Sequence, residues 1–179
     1  RRQRQMCIRD RVYMELIAEA AGRGKQSIVL IPEIALTYQT VMRFYHRFGD
    51  RVSIMNSKLS PGERSDQFER AKKGEIDVMI GPRSALFTPF SDLGIIIIDE
   101  EHEPSYKSET VPRYHAREVA AKRAELCGAT LVLGSATPSL ESYYKAKKGE
   151  SFYYEAKYSH HIESKKGATI IWVSSPPSF

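Results

Sequence analysis

Long apolar runs and paired cysteines are the features that this sequence most clearly lacks. Its longest apolar run, Leu93–Ile98, has the length of a buried strand, whereas a membrane-spanning helix needs about 20 apolar residues. No apolar segment follows the basic N-terminus, so we expect no secretory signal peptide. The two cysteines, Cys7 and Cys127, are far apart and predict neither a disulfide framework nor a cysteine metal site. We therefore expect a protein of the reducing cytoplasm, away from membranes.

Most of the net positive charge of this chain lies in its first eleven residues. The chain has a net charge of +5. Five arginines and one aspartate in residues 1–11 contribute +4 of it, so the rest of the chain carries only +1. A basic pI alone therefore does not indicate nucleic-acid binding, which has to be argued from individual sites.

Apolar runs and amphipathic stretches alternate along the chain, and its length suits one domain. This alternation predicts an α/β fold, a parallel sheet with helices on both faces. In such sheets ligands bind beyond the carboxyl ends of the strands. The predicted strands are residues 27–31, 52–55, 76–80, 93–98 and 129–133, with less certain ones at 151–156 and 169–173. The predicted helices are residues 12–21, 37–48, 60–73, 114–126 and 137–148.

Acidic residues come directly after the most apolar strand, in the segment Asp99-Glu100-Glu101-His102. A strand that ends in Asp-Glu is typical of P-loop NTPases. Asp99 would hold Mg²⁺, through water, beside the phosphates. Glu100 would orient and deprotonate the attacking water. A solvated acidic loop is the alternative interpretation of the same pattern.

A second polar segment, Gly134-Ser135-Ala136-Thr137-Pro138, follows the next predicted strand. It is also consistent with a turn in which Thr137 caps a helix. The acidic segment and this one are each weak evidence alone. Together, after adjacent strands and about 35 residues apart, they favour a nucleotide-driven motor.

Six segments carry a resemblance to a known family: residues 31–37, 57–64, 81–90, 99–102, 112–117 and 134–142. In this order they resemble the primosomal protein N′ (PriA) family of superfamily 2 DNA helicases. The resemblance covers about residues 12–150 and implies a RecA-like first motor lobe. It also implies a cytoplasmic, ATP- and Mg²⁺-dependent 3′→5′ helicase of replication restart. Single-stranded and forked DNA, primosome proteins and single-strand-binding proteins would be its partners, and the family's cysteine cluster would hold zinc.

The resemblance also implies roles for individual residues. The Ser-Ala-Thr segment would form hydrogen bonds with the acidic segment and so couple ATP hydrolysis to movement of the two motor lobes. The residues expected to take part in this coupling are Ser135, Ala136, Thr137 and His102. We expect His102 to bridge the acidic segment to the loop that follows it. Aromatic rings of that loop would stack on bases while cations meet phosphates. The residues expected to bind DNA are Pro32, Glu33, Arg83, Ser84, Tyr106, Lys107, Arg113 and Tyr114. Plain loop packing and a surface ion pair at Arg83 are the alternatives.

The largest departure from the family is its missing phosphate loop. Where the family has a GSGKT-type segment, residues 5–11 contain no glycine, lysine, serine or threonine. Gly22–Lys25 has the wrong order, since it follows a helix and precedes a strand. We therefore interpret residues 1–11 as a basic leader foreign to the family, 12–150 as the motor lobe, and 151–179 as the start of an inter-lobe segment. We expect the second lobe, its arginine finger and the zinc cysteines to be missing, and the chain to be inactive. A non-catalytic nucleotide- or DNA-binding module and another superfamily 2 translocase stay open as alternatives.

Overall fold

The computed structural model describes the backbone of residues 2–135, 140, 144, 148, 152–156 and 169–174, and the side chains of residues 10–135, 140, 144 and 148. Four helices and seven strands are described. The helices are α1 (Arg2–Gly22), α2 (Tyr38–Phe48), α3 (Pro61–Lys72) and α4 (Ala116–Cys127). The strands are β1 (Gln26–Leu30), β2 (Val52–Ile54), β3 (Val78–Gly81), β4 (Leu93–Ile98), β5 (Thr130–Ser135), β6 (Phe152–Ala156) and β7 (Thr169–Ser174). The helix predicted from residue 137 falls mostly outside the described residues.

All described strands belong to one sheet with the order β2-β3-β1-β4-β5-β7-β6. The first five strands in this order are parallel, which confirms the predicted α/β fold. The sheet is not wholly parallel, however, because β7 runs antiparallel to β5 and β6 runs antiparallel to β7. The two strands predicted after residue 150 are thus present, and they extend the sheet of the preceding residues.

Helices cover both faces of the sheet, as predicted. On β4, Ile95 and Ile97 pack into the cluster that includes Tyr13 and Ile17 of α1 and Phe44 of α2. Ile96 and Ile98 point the other way, into a cluster that includes Ala71 of α3 and three alanines of α4. A strand alternates its side chains between faces, so a continuous apolar run is what a strand covered on both sides requires.

Local sequence signals fix the helix ends. A capping box starts α3: Ser60 Oγ accepts from the N–H of Glu63 at 3.3 Å, and Glu63 Oε2 accepts from the N–H of Ser60 at 2.7 Å. The Thr37 side chain accepts from Thr40 N–H at the start of α2. Gly128 ends α4 in the left-handed region, where glycine is favoured.

Helix α1 begins much earlier than predicted, at Arg2 instead of Val12. Residues 5–11, where the resemblance places a phosphate loop, lie within this helix and form no turn. We find no helix of membrane-spanning length and apolarity in the part of the chain that the structure describes.

Candidate functional site

The polar segments singled out above meet at one edge of the sheet. Parallel strands β1, β3, β4 and β5 are neighbours and end together there. Each is followed by one of these segments: Pro32-Glu33 after β1, Arg83-Ser84 after β3, Asp99–His102 after β4, and Ser135 at the end of β5. The fold thus gathers residues that are distant in sequence into one candidate site.

Asp99 is buried and held from two sides. Its N–H donates to the carbonyl of Leu30 at 2.9 Å, which continues the β1–β4 ladder by one residue. The hydroxyl of Tyr13 on α1 donates to Asp99 Oδ1 at 2.9 Å. A Cβ on Gly134 would lie 1.7 Å from that hydroxyl. Glycine at 134 is therefore a steric requirement for the Tyr13–Asp99 contact.

Glu100 has an unusual backbone conformation. Its φ is +50°, and it is the only described residue other than glycine with a positive φ. This left-handed region costs an ordinary side chain roughly 1 kcal/mol or more and is enriched at functional sites. The turn leaves the Glu100 side chain 26% exposed, with Oε2 3.8 Å from His102 Nδ1. Its side chain is therefore partly exposed to solvent, and it follows the buried Asp99 directly in the sequence.

His102 connects the two motifs. Its Nδ1 lies 2.8 Å from the hydroxyl of Ser135, which is fully buried at the end of β5. The hydrogen bond expected between the acidic segment and the Ser-Ala-Thr segment is therefore present through these two residues. The expectation that His102 bridges to the following loop is wrong, because its side chain faces β5. Ala136 and Thr137 lie outside the described residues.

Glu101 and Arg117 were not predicted as site residues. The Glu101 side chain is completely buried, and Arg117 Nη1 donates to its Oε2 at 2.9 Å. The N–H of Glu101 also donates to the carbonyl of Gly134 at 3.0 Å. Arg117 lies in the first turn of α4. The buried ion pair of the Glu101 side chain therefore holds the acidic segment against α4. The hydrogen bond from the Glu101 N–H to Gly134 holds the same segment against β5.

The structure corrects the role expected for Tyr106. This side chain is 1% exposed, so its ring cannot stack on a base. Its hydroxyl lies 2.7 Å from the carbonyl of Asp99 and 3.0 Å from that of Leu30. Burial, with a smaller contribution from the charge of Asp99, strongly raises the pKa of the phenol. Tyr106 is therefore a neutral hydrogen-bond donor that joins the ends of β1 and β4.

We expect Tyr106→Phe to lower the free energy of unfolding by about 1–2 kcal/mol, because the carbonyls lose a buried donor while the ring stays in place. Tyr106→Ala should cost more, about 3–5 kcal/mol, since it also leaves a cavity. Urea denaturation of both variants, with Tyr38→Phe at an exposed tyrosine as the control, measures the difference. A cost for Tyr106→Phe no larger than that of the control would contradict the hydrogen-bonding role.

The remaining predicted DNA-binding residues differ in exposure. Lys107 and Arg113 are exposed, and Ser84 is half-buried. Tyr114 is half-buried and meets Phe87 edge to face, with ring centroids 5.5 Å apart. Arg83 is half-buried and bonds backbone carbonyls instead of the acidic partner that a surface ion pair requires. Arg83, Ser84, Lys107, Arg113 and Tyr114 therefore stay candidates for contact with DNA.

Two residues after β1 are less suited to the DNA contact expected of them. Pro32 is buried. The carboxylate of Glu33 accepts from the N–H of Ser57 at 3.0 Å and from the Ser57 hydroxyl. These hydrogen bonds lower the pKa of Glu33, so the group is ionised at neutral pH and repels phosphate. Its contact orders the neighbouring loops after β1 and β2.

The site fits a magnesium ion better than it fits a nucleotide. Asp99 and Glu100 supply consecutive carboxylates at a strand end, the hard oxygen donors that Mg²⁺ prefers. Grouped side chains that would form a complete metal cage are absent from the described part of the chain. Helix α1 begins without a glycine-rich turn, so residues 2–22 do not form the backbone cradle that a triphosphate needs.

Comparison with known proteins finds relatives that match most of the chain. The family model described as DEAD/DEAH box helicase matches residues 11–146. The replication restart protein PriA of Bacillus subtilis is 54% identical over 138 residues, which are 77% of this chain and 17% of that protein. The PriA proteins of Chlamydia pneumoniae and Haemophilus influenzae are 52% and 44% identical over 78% and 87% of this chain. The chain spans about a fifth of the length of these two relatives.

Proposed function

Because the chain belongs to the DEAD/DEAH box helicase family, we propose that it serves as the first motor lobe of a replication-restart DNA helicase. The proposal includes ATP-driven 3′→5′ movement along single-stranded DNA in the cytoplasm. It also includes forked DNA, primosome proteins and single-strand-binding proteins as partners. The high identity to three replication restart proteins supports this choice over another superfamily 2 translocase.

The observation that carries the proposal is the geometry at the ends of β4 and β5. A buried carboxylate, Asp99, precedes a solvent-facing one, Glu100, whose backbone is held in the left-handed region. His102 then contacts the buried hydroxyl of Ser135 on the next strand. This arrangement suits a site in which one carboxylate holds Mg²⁺ and the next orients water. The His102–Ser135 contact would transmit a change at this site to the segment after β5.

A non-catalytic nucleotide- or DNA-binding module is the second candidate. One observation favours it: α1 runs unbroken from Arg2, where an active family member has a phosphate loop. The two candidates make different predictions once such a loop is supplied, since only the catalytic site would then hydrolyse ATP.

We expect the 179-residue chain to hydrolyse no ATP above background, with or without single-stranded DNA, because residues 5–11 continue helix α1 and form no phosphate cradle. A longer protein with the same motor lobe and a GSGKT-type loop in place of residues 5–11 should hydrolyse ATP faster when single-stranded DNA is added. It should also unwind duplexes with a 3′ single-stranded tail. Phosphate release and strand-displacement assays measure both activities.

Each part of the proposal has its own contrary result. DNA-stimulated hydrolysis by the chain itself would mean that it holds phosphates in another way. A longer protein that binds ATP but never hydrolyses it would favour the non-catalytic module. Unwinding that requires a 5′ tail would contradict only the proposed 3′→5′ direction of movement.

A further inference from the structure

Tyr13 of α1 forms a hydrogen bond with the carboxylate that we expect to hold Mg²⁺. Its hydroxyl donates to Asp99 Oδ1 at 2.9 Å, although the two residues are 86 positions apart in the sequence. Both side chains belong to buried residues, and a buried carboxylate that stays charged requires hydrogen-bond donors. The contact therefore joins α1 to the end of β4 through a donor that is shielded from solvent.

Packing fixes the position of the Tyr13 hydroxyl. The ring belongs to the apolar cluster that includes Ile17 of the same helix, Ile97 of β4 and Val132 of β5. Tyr13 and Ile17 are four positions apart, so both lie on the face of α1 that covers the sheet. A ring in a close-packed interior has little room to turn its hydroxyl elsewhere. The hydroxyl is thus a fixed donor to which the carboxylate of Asp99 must adjust.

Glycine at position 134 makes room for this donor. Gly134 lies in β5 and its φ is not positive, so its backbone conformation does not require glycine. A Cβ at this position would lie 1.7 Å from the Tyr13 hydroxyl oxygen and 3.5 Å from Asp99 Oδ1. Non-bonded carbon atoms prefer separations of about 3.5–4.0 Å. The space beside Gly134 is therefore the space that the tyrosine hydroxyl occupies.

We propose that Tyr13 is a positioning residue for Asp99: its hydroxyl holds Oδ1 and so sets the direction in which the carboxylate presents its oxygens to Mg²⁺. This inference rests on the proposed function, because it concerns the metal ligand of that site. Hydrogen bonds that orient a metal-binding carboxylate strengthen metal binding, and their loss weakens it by about 10–100-fold. Gly134 acts indirectly, since only glycine lets the hydroxyl reach Asp99.

Metal binding by the chain itself tests the inference without ATP. Mn²⁺ replaces Mg²⁺ as the probe, because carboxylates suit both ions and the EPR signal of free Mn²⁺ is lost on binding. Tyr13→Phe removes the hydroxyl and keeps the ring, so the Kd for Mn²⁺ should rise about tenfold. Tyr45→Phe is the matched control, at a half-buried tyrosine that packs against the same cluster, and should leave the Kd unchanged. Asp99→Asn should remove this binding site.

Gly134→Ala separates the positioning role from stability. The added methyl displaces the Tyr13 hydroxyl, so the melting temperature should fall and the Kd for Mn²⁺, measured below that temperature, should rise. Adding Tyr13→Phe to Gly134→Ala removes the clash with the hydroxyl oxygen, so the melting temperature should recover in part. The Kd should stay high, because the donor is still absent. If Gly134→Ala does not fold, the Kd of Tyr13→Phe decides alone.

The outcomes distinguish this inference from the proposed function. If the unsubstituted chain does not bind Mn²⁺, or if Asp99→Asn does not weaken the binding, the metal role of Asp99 is wrong and the positioning role falls with it. If Asp99→Asn weakens the binding but Tyr13→Phe does not, Tyr13 serves stability alone and the metal role of Asp99 stands. Recovery of metal binding in the double variant would also contradict the positioning role.

Discussion

Replacing Arg117 by methionine is expected to lower the free energy of unfolding by about 3 kcal/mol. Methionine keeps much of the arginine's apolar length and removes its charge. The change leaves the Glu101 carboxylate, whose side chain is 0% exposed, without its guanidinium partner. An ionised group in that position loses a strong charge-assisted hydrogen bond and gains no water to replace it.

A second substitution shows whether the charge or the shape matters. Adding Glu101→Gln to Arg117→Met should recover part of the lost stability, because the buried charge is then absent. Urea denaturation of both single variants and the double variant measures the coupling. The exposed pair Arg47–Glu15, 3.0 Å apart, supplies the control, and Arg47→Met should cost less than about 1 kcal/mol. An equal loss in the free energy of unfolding for Arg117→Met and Arg47→Met would show that the buried pair stabilises the fold no more than the exposed pair does.

The fold could be predicted from the sequence because its signals are local. The apolar run Leu93–Ile98 has the length of a buried strand, and Ser60 with Glu63 has the spacing of a capped helix start. Each signal needs only neighbours in sequence, and the structure contains both elements. The early start of α1 also had a local signal, since residues 1–11 contain neither glycine nor proline and several good helix formers.

The side-chain contacts of the site could not be predicted in the same way. Tyr106 and Leu30 are 76 residues apart and Arg83 and Ser105 are 22 apart, so only the packed sheet brings them together. A tyrosine in a loop rich in aromatic and basic residues has the same sequence signature whether its ring is buried or exposed. The buried pair Glu101–Arg117 had only a weak signal, a third acidic residue after Asp99-Glu100.

Glu100→Gln is expected to have the largest effect on catalysis, in a form of the protein that carries a phosphate loop in place of residues 5–11. We expect ATP hydrolysis to fall by about 10²–10⁴-fold, the usual contribution of a general base. ATP binding should change little, since the amide has the shape of the carboxylate but cannot accept the proton of water. Glutamine and glutamate also bear a similar cost at the φ of +50°, so the comparison isolates the carboxylate from the backbone.

Two further variants separate the roles of the neighbouring carboxylates. Asp99→Ala should weaken Mg²⁺-dependent ATP binding as well as hydrolysis, because the metal loses its carboxylate. Glu103→Gln, in the same segment but beyond His102, should change neither by more than about twofold, as most surface substitutions away from a site do. Equilibrium binding of a fluorescent ATP analogue and single-turnover hydrolysis measure the two steps separately. Near-normal turnover by Glu100→Gln would show that another residue is the general base. The left-handed turn at Glu100 would then serve only to carry the chain from β4 to the buried Glu101.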